Sequence, residues 1–160
     1  MDATIYGKVT GIIREIRMGE SCCTWRVGVQ TDAETIYFIV TGETTIIDNV
    51  RLRRGMRIAA FYDTSLPVPA IYPAQYQAEL ITALRQNQEA DLKFFDENLL
   101  AEDESLQLDL SPMTVIETLN GQRYRCAPGN MELLVYYTVT TFSIPPQTTP
   151  QRIIVLCPGE

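Results

Sequence analysis

Tyr72 and Tyr76 bracket Pro73 in the run Ile71-Tyr72-Pro73-Ala74-Gln75-Tyr76. Aromatic rings held beside proline can stack on bases, sugar rings or the prolines of a peptide. Their competing role is structural: the rings cover the open end of a β barrel while the prolines stiffen a loop that is otherwise costly to order. Trp25 is a third ring of this kind. Its alternation with Val27 and Val29 places it in the core, with stacking on a ligand as the alternative. Arg51, Arg53, Arg54 and Arg57 flank Gly55 and would form a phosphate-binding edge if they all pointed one way. In a strand, Arg54 and Arg57 fall on opposite faces, so a solvated turn is the default reading. Trp25, Arg54, Arg57, Tyr72 and Tyr76 are the candidate ligand-binding residues.

Catalytic chemistry has little to work with. The chain has no histidine, which removes the commonest general base and the Ser-His and Cys-His nucleophile pairs. The clustered acids, Asp96-Glu97 and Glu102-Asp103-Glu104, sit in a segment that reads as exposed and solvated. No Gly-rich phosphate loop, nucleophile elbow or dinucleotide fingerprint is present. Cys22, Cys23, Cys126 and Cys157 offer no Cys-x-x-Cys pair and read as free thiols. A non-enzymatic chain with no catalytic residue, no metal and no cofactor is expected.

The elements that position these residues read as strands. Residues 4–16 are β-branched, and their two glycines suggest a long first strand that bends sharply. Thr24 to Gln30 alternates, Thr31-Asp32-Ala33 turns, and Glu34 to Val40 returns as a third, antiparallel strand. Gly55 marks a turn before a fourth strand ending at Tyr62. A proline-rich loop then leads to a fifth strand at Gln77 to Leu84. This order resembles the oligonucleotide/oligosaccharide-binding (OB) fold, in which the loop between the fourth and fifth strands borders the ligand cleft. Residues 85–105 read as an acidic connector running into strand near Phe94. A short helix is the alternative, because Leu92, Phe95, Leu99 and Leu100 have helical spacing.

The remainder looks like a second copy. Thr41 to Ile47 matches Ser111 to Ile116, Arg54 to Tyr62 matches Pro128 to Tyr137 with one insertion, and Ile71 to Gln75 parallels Ile144 to Gln147. Asn120-Gly121 signals a hairpin between Thr114 to Leu119 and Gln122 to Cys126. The expected fold is therefore all-β: an OB-like five-stranded barrel at 1–84, the connector at 85–105, and a smaller related module at 106–160, made by tandem duplication. The two proline loops are similar to those of a group of small uncharacterised two-module proteins from Gram-positive bacteria. That resemblance spans nearly the whole chain and implies no site residues.

A net charge of −7 disfavours polyanionic partners. The excess belongs to residues 85–105, where seven acids stand against Arg85 and Lys93. The first module is nearly neutral, so nucleic acid is disfavoured without being excluded. A protein partner or homo-oligomer is the leading expectation, with a single-stranded nucleic-acid binder and a self-associating structural subunit as alternatives. Met1 to Tyr6 has no basic and apolar leader, and no apolar run is long enough to span a bilayer, so a cytosolic, membrane-free chain is expected.

Overall fold

The computed structural model describes residues 4–158 and is all-β. The chain divides into two compact units, one from Ile5 to Arg85 and the other built from Gln86 onward. In the first, β1 (Tyr6–Met18), β2 (Trp25–Gln30), β3 (Thr35–Val40), β4 (Thr45–Ile46), β5 (Arg57–Asp63), β6 (Gln75–Gln77) and β7 (Leu80–Ala83) form one sheet in the order β4-β7-β5-β1-β2-β3-β6.

β1 is long enough to serve two neighbours. Its first half pairs antiparallel with β5 and its second half with β2, and a register shift falls between Ile13 and Glu15. A bulge of this kind bends the strand and lets it change partner. Its early glycine is a matter of close approach: a Cβ on Gly7 would lie 2.2 Å from Cζ of Tyr62, the residue opposite it in β5. The turn before β5 needs a different glycine. Met56 N–H donates to Arg53 C=O at 3.2 Å, and Gly55 takes φ +92°, the left-handed third position of a type II turn.

One piece of chain serves both halves of the sheet. β6 pairs parallel with β3 and β7 pairs antiparallel with β5, and only Ala78 and Glu79 separate them. Across that break Ala78 N–H donates to Ile39 C=O at 3.0 Å and Glu79 N–H to Phe61 C=O at 2.8 Å. No ladder joins β6 to β4, so the hydrogen-bonded order is open. Val9, Ile13, Val27, Val29, Phe38, Ile58, Ala60 and Ile81 form the core. Each large apolar side chain so buried contributes about 1.5–3 kcal/mol.

In the second unit β8 (Glu89–Phe95), β9 (Gln107–Leu108), β10 (Val115–Thr118), β11 (Met131–Tyr137), β12 (Gln147–Thr148) and β13 (Arg152–Leu156) form a four-stranded sheet, β10-β13-β11-β8, and a two-stranded one, β12-β9. The helix alternative for 85–105 fails. β8 begins at Glu89, with Ala90 and Leu92 buried in alternation. Asp96 then makes a turn, its Oδ1 accepting from the Asn98 and Leu100 amides. Strand followed by tight turn reproduces apolar spacings that imitate a helix. The hairpin at Asn120-Gly121 is present but short: its return strand reduces to a bridge at Arg123, closed by bonds from Tyr124 N–H to Ile116 C=O and from Thr118 N–H to Gln122 C=O.

Ladder types recur between the units. β4 and β7 are parallel, as are β10 and β13; β5 is antiparallel to β7 and β1, as β11 is to β13 and β8; β3–β6 and β9–β12 are both parallel. Loop bonds recur with them. Thr44 Oγ1 donates to Ala78 C=O at 3.0 Å and Thr114 Oγ1 to Pro150 C=O at 2.7 Å. Tyr37 N–H reaches Ala74 C=O as Gln107 N–H reaches Pro146 C=O, both at 2.9 Å. The left-handed position before β5, filled by Gly55, falls to Asn130 before β11 with φ +59°.

Candidate functional site

Strand alternation sorts the first unit's side chains into two faces. Val27 and Phe38 point to the core, and Glu15, Arg26, Tyr37, Ile39, Gln75 and Gln77 take the opposite face of β1, β2, β3 and β6. Gly28 lies beneath this face. A Cβ there would meet Tyr37 Cε1 at 3.0 Å, so the glycine lets the ring lie flat over β2. Arg26 covers the ring in turn, its guanidinium carbon 3.7 Å from the centroid, and its Nε donates to Gln75 Oε1 at 3.3 Å. Tyr37 donates its hydroxyl to Glu15 at 3.1 Å, and Glu15 is also paired with Arg17. Glu15 is thus matched by Arg17, while Arg26 is held by a ring and an amide.

Beyond β6 the loop after β5 rises into a wall. Leu66, Pro67, Val68 and Pro69 enclose a groove of about 290 Å³ with Ile39, Gln75 and Gln77, and Tyr62 and Tyr76 contribute their rings. The two rings stack, with centroids 3.9 Å apart and planes 15° from parallel, and both pack on Phe38. Burial, then the neighbouring Tyr76 hydroxyl, holds the Tyr62 phenol above its ordinary value. Asp63 is the one residue of the lining that carries a charge at neutral pH, and its Oδ1 accepts from the Ser65 amide and hydroxyl, which fixes the start of the wall. A second depression of about 320 Å³ lies along β10, lined by Met113, Val115 and Arg123 among others and by no aromatic ring.

The five residues expected as a site do not come together. Tyr76 lies in the groove with its ring against the core cluster, whereas Tyr72 is 85% exposed. Trp25, expected in the core, is 48% exposed: it starts β2, pairs with the exposed Met18, and stands where the core has ended, so alternation gave its side of the sheet but not its depth. Arg54 is in the turn rather than a strand and is exposed, and Arg57 opens β5, where it donates to Arg85 C=O at 3.2 Å. Arg57 is five positions along β5 from Tyr62, roughly 16 Å at about 3.3 Å per residue. The arginine turn and the tyrosines therefore occupy opposite ends of the unit.

Sequence reasoning missed Arg26, Tyr37, Tyr62, Gln75 and Gln77. The available signal was that Arg26 alternates with Trp25 and takes the face away from the core. The cysteines are exposed and unbridged. Among the described residues, no helix is long and apolar enough to cross a membrane. Comparison with known proteins finds no matching family, no similar curated protein and no similar solved structure.

Proposed function

We propose that the chain is a non-enzymatic binding module, two copies of one OB-type architecture, that takes a neutral, extended ligand in the groove between β3, β6 and the loop after β5. The observation that carries this is the composition of the lining: a stacked tyrosine pair, two glutamine amides and a proline-rich wall, with one carboxylate and no basic side chain. Aromatic faces and amides suit sugar rings or peptide backbone, and the lining itself offers a phosphate chain no cation, the neighbouring Arg26 being engaged by the Tyr37 ring and Gln75.

The OB reading is supported by β1 pairing with both β2 and β5, and by residues 75–83 bridging β3 and β5, which is how the fifth OB strand closes its barrel. In that fold the face of strands two and three and the loop before the fifth strand bind ligand, and the groove's lining by Ile39 of β3 and the loop after β5 supports the same use here. Duplication is supported by the recurring ladders and loop bonds. The resemblance to two-module Gram-positive proteins belongs to the same proposal. The nucleic-acid alternative is weakened because Arg54 and Arg57 lie at the other end of the unit from Tyr76, and Trp25 and Tyr72 do not line the groove.

The test is calorimetric titration of the full chain with a neutral oligosaccharide, a proline-rich peptide and oligo-dT, alongside Leu66→Glu and Arg54→Ala variants. A neutral probe is expected to bind with little salt dependence and to lose at least about tenfold in affinity to Leu66→Glu alone, the worth of one buried apolar contact. Binding of oligo-dT only, weakened by salt and by Arg54→Ala, would overturn the reading in favour of nucleic acid.

A further inference from the structure

The second unit carries, at the loop equivalent to the groove wall, an apolar projection. Val139 and Ile144 are 74% and 99% exposed, and Phe142 is fully exposed. Their exposure is enforced by the loop's own hydrogen bonds. Thr141 N–H donates to Gln147 C=O at 2.9 Å, Gln147 N–H to Thr141 Oγ1 at 3.0 Å, Ser143 Oγ to Pro145 C=O at 2.9 Å and Thr148 Oγ1 to Val139 C=O at 2.6 Å. A loop tied at its base cannot fold Phe142 and Ile144 back against the sheet without breaking these bonds, so the projection is preorganised for a partner surface.

Charge is compatible with a second copy as the partner. Residues 138–151 contain no charged side chain, in a chain whose net charge is −7. The groove of the first unit likewise carries one carboxylate, and its wall, residues 64–78, is uncharged. Two copies of this chain repel chiefly where their acidic 85–105 segments approach, and these two uncharged segments can meet without setting like charges against each other. A groove of about 290 Å³ has room for a phenyl ring, and aromatic anchors in pockets are the usual centres of an interface.

We propose that the 138–146 loop of one chain inserts Phe142, flanked by Ile144, into the groove formed by Tyr62, Tyr76, Leu66 and Val68 of a second copy. This rests on the groove reading above and names its occupant. Knob and groove lie on different units, so the contact is head-to-tail, and successive copies form a closed ring or an open chain. One aromatic anchor and its neighbours bury far less than the roughly 1,200 Å² of a stable interface, so the association is weak and concentration-dependent.

Sedimentation of the full chain from about 1 μM to about 1 mM tests this, a span that brackets weak affinities. The expected result is a reversible rise in mean mass with concentration. Phe142→Ser, which removes the knob, and Leu66→Glu, which blocks the groove, each lower the association constant at least about tenfold. Mixed in equal amounts the two variants form a heterodimer that neither forms alone, because the knob of one meets the intact groove of the other. A wild-type chain that stays monomeric, an unchanged association in either variant, or a mixture that fails to combine overturns the proposal. If the wild type is monomeric while a neutral probe still binds in a manner sensitive to Leu66→Glu, the groove reading survives and only its occupant is wrong.

Discussion

Gly7→Ala probes the floor of the groove. A Cβ at this position would lie 2.2 Å from Cζ, 2.5 Å from Oη and 2.6 Å from Cε1 of Tyr62, so the ring must swing away by more than an ångström. It has little room to do so, because Tyr76 is stacked on it at 3.9 Å. Forcing a methyl into a filled space costs about 1–3 kcal/mol. Loss of the stacked pair adds about 0.5–1.5 kcal/mol. Replacing glycine by alanine in a strand returns about 0.4–1 kcal/mol through the unfolded chain. The net destabilisation is therefore about 0.5–4 kcal/mol, readable as a lower urea midpoint of the first unit. The clash is with the far end of the ring, so Tyr62→Leu, which has no atoms there, should remove it. Gly7→Ala in the Tyr62→Leu background is expected to cost nothing or to stabilise, a coupling of at least about 1 kcal/mol in the double-mutant cycle. An equal cost in both backgrounds would refute the close approach and with it this account of how the groove is floored.

Two further outcomes concern the second unit. Glu132 has a buried Oε2 with no hydrogen-bond partner, and burial raises its carboxyl above the ordinary value. Because the folded state favours the protonated form, its contribution is fullest below the unfolded value and is lost as pH rises through the raised one. Glu132→Gln is thus expected to raise thermal stability at neutral pH and to flatten the decline that sets in above the ordinary carboxylate value. An unchanged pH profile would contradict this. Tyr137 donates to Asp91 Oδ2 at 2.5 Å, and burial, then this bond, pushes its phenol well up. Tyr137→Phe should cost about 1–2 kcal/mol at neutral pH, as expected for a partly buried bond to a charged group. In the wild type that stability is present below the ordinary phenol value and lost as pH rises above it, whereas the variant should lack this alkaline loss.

How much was legible follows from the reach of each signal. Alternation located β1, β2, β3 and β5 because a half-buried strand writes its two faces into every second residue. It gave side but not depth, which is why Trp25 was placed in the core when it stands past the core's end. Helical spacing around Leu92 to Leu100 kept a helix open beside the favoured strand near Phe94, because a strand and the turn at Asp96 can produce the same intervals. The proline loop stood out by composition, yet its two tyrosines part company: Tyr76 belongs to a short strand and turns inward, and Tyr72 precedes that strand and faces solvent. Arg26, Tyr37 and Gln75 were invisible as a group. They come from three strands and meet only through register, which no local pattern encodes.

The claim that the groove is the chain's binding site is tested most directly by mapping amide shifts on the isotope-labelled full chain as a neutral probe that binds by calorimetry is added. The account predicts changes confined to Ile39, residues 62–69 and residues 75–77 that vanish in Leu66→Glu. Shifts centred instead on Arg51 to Arg57, or on Trp25 and its neighbours with the groove amides unmoved, would contradict it.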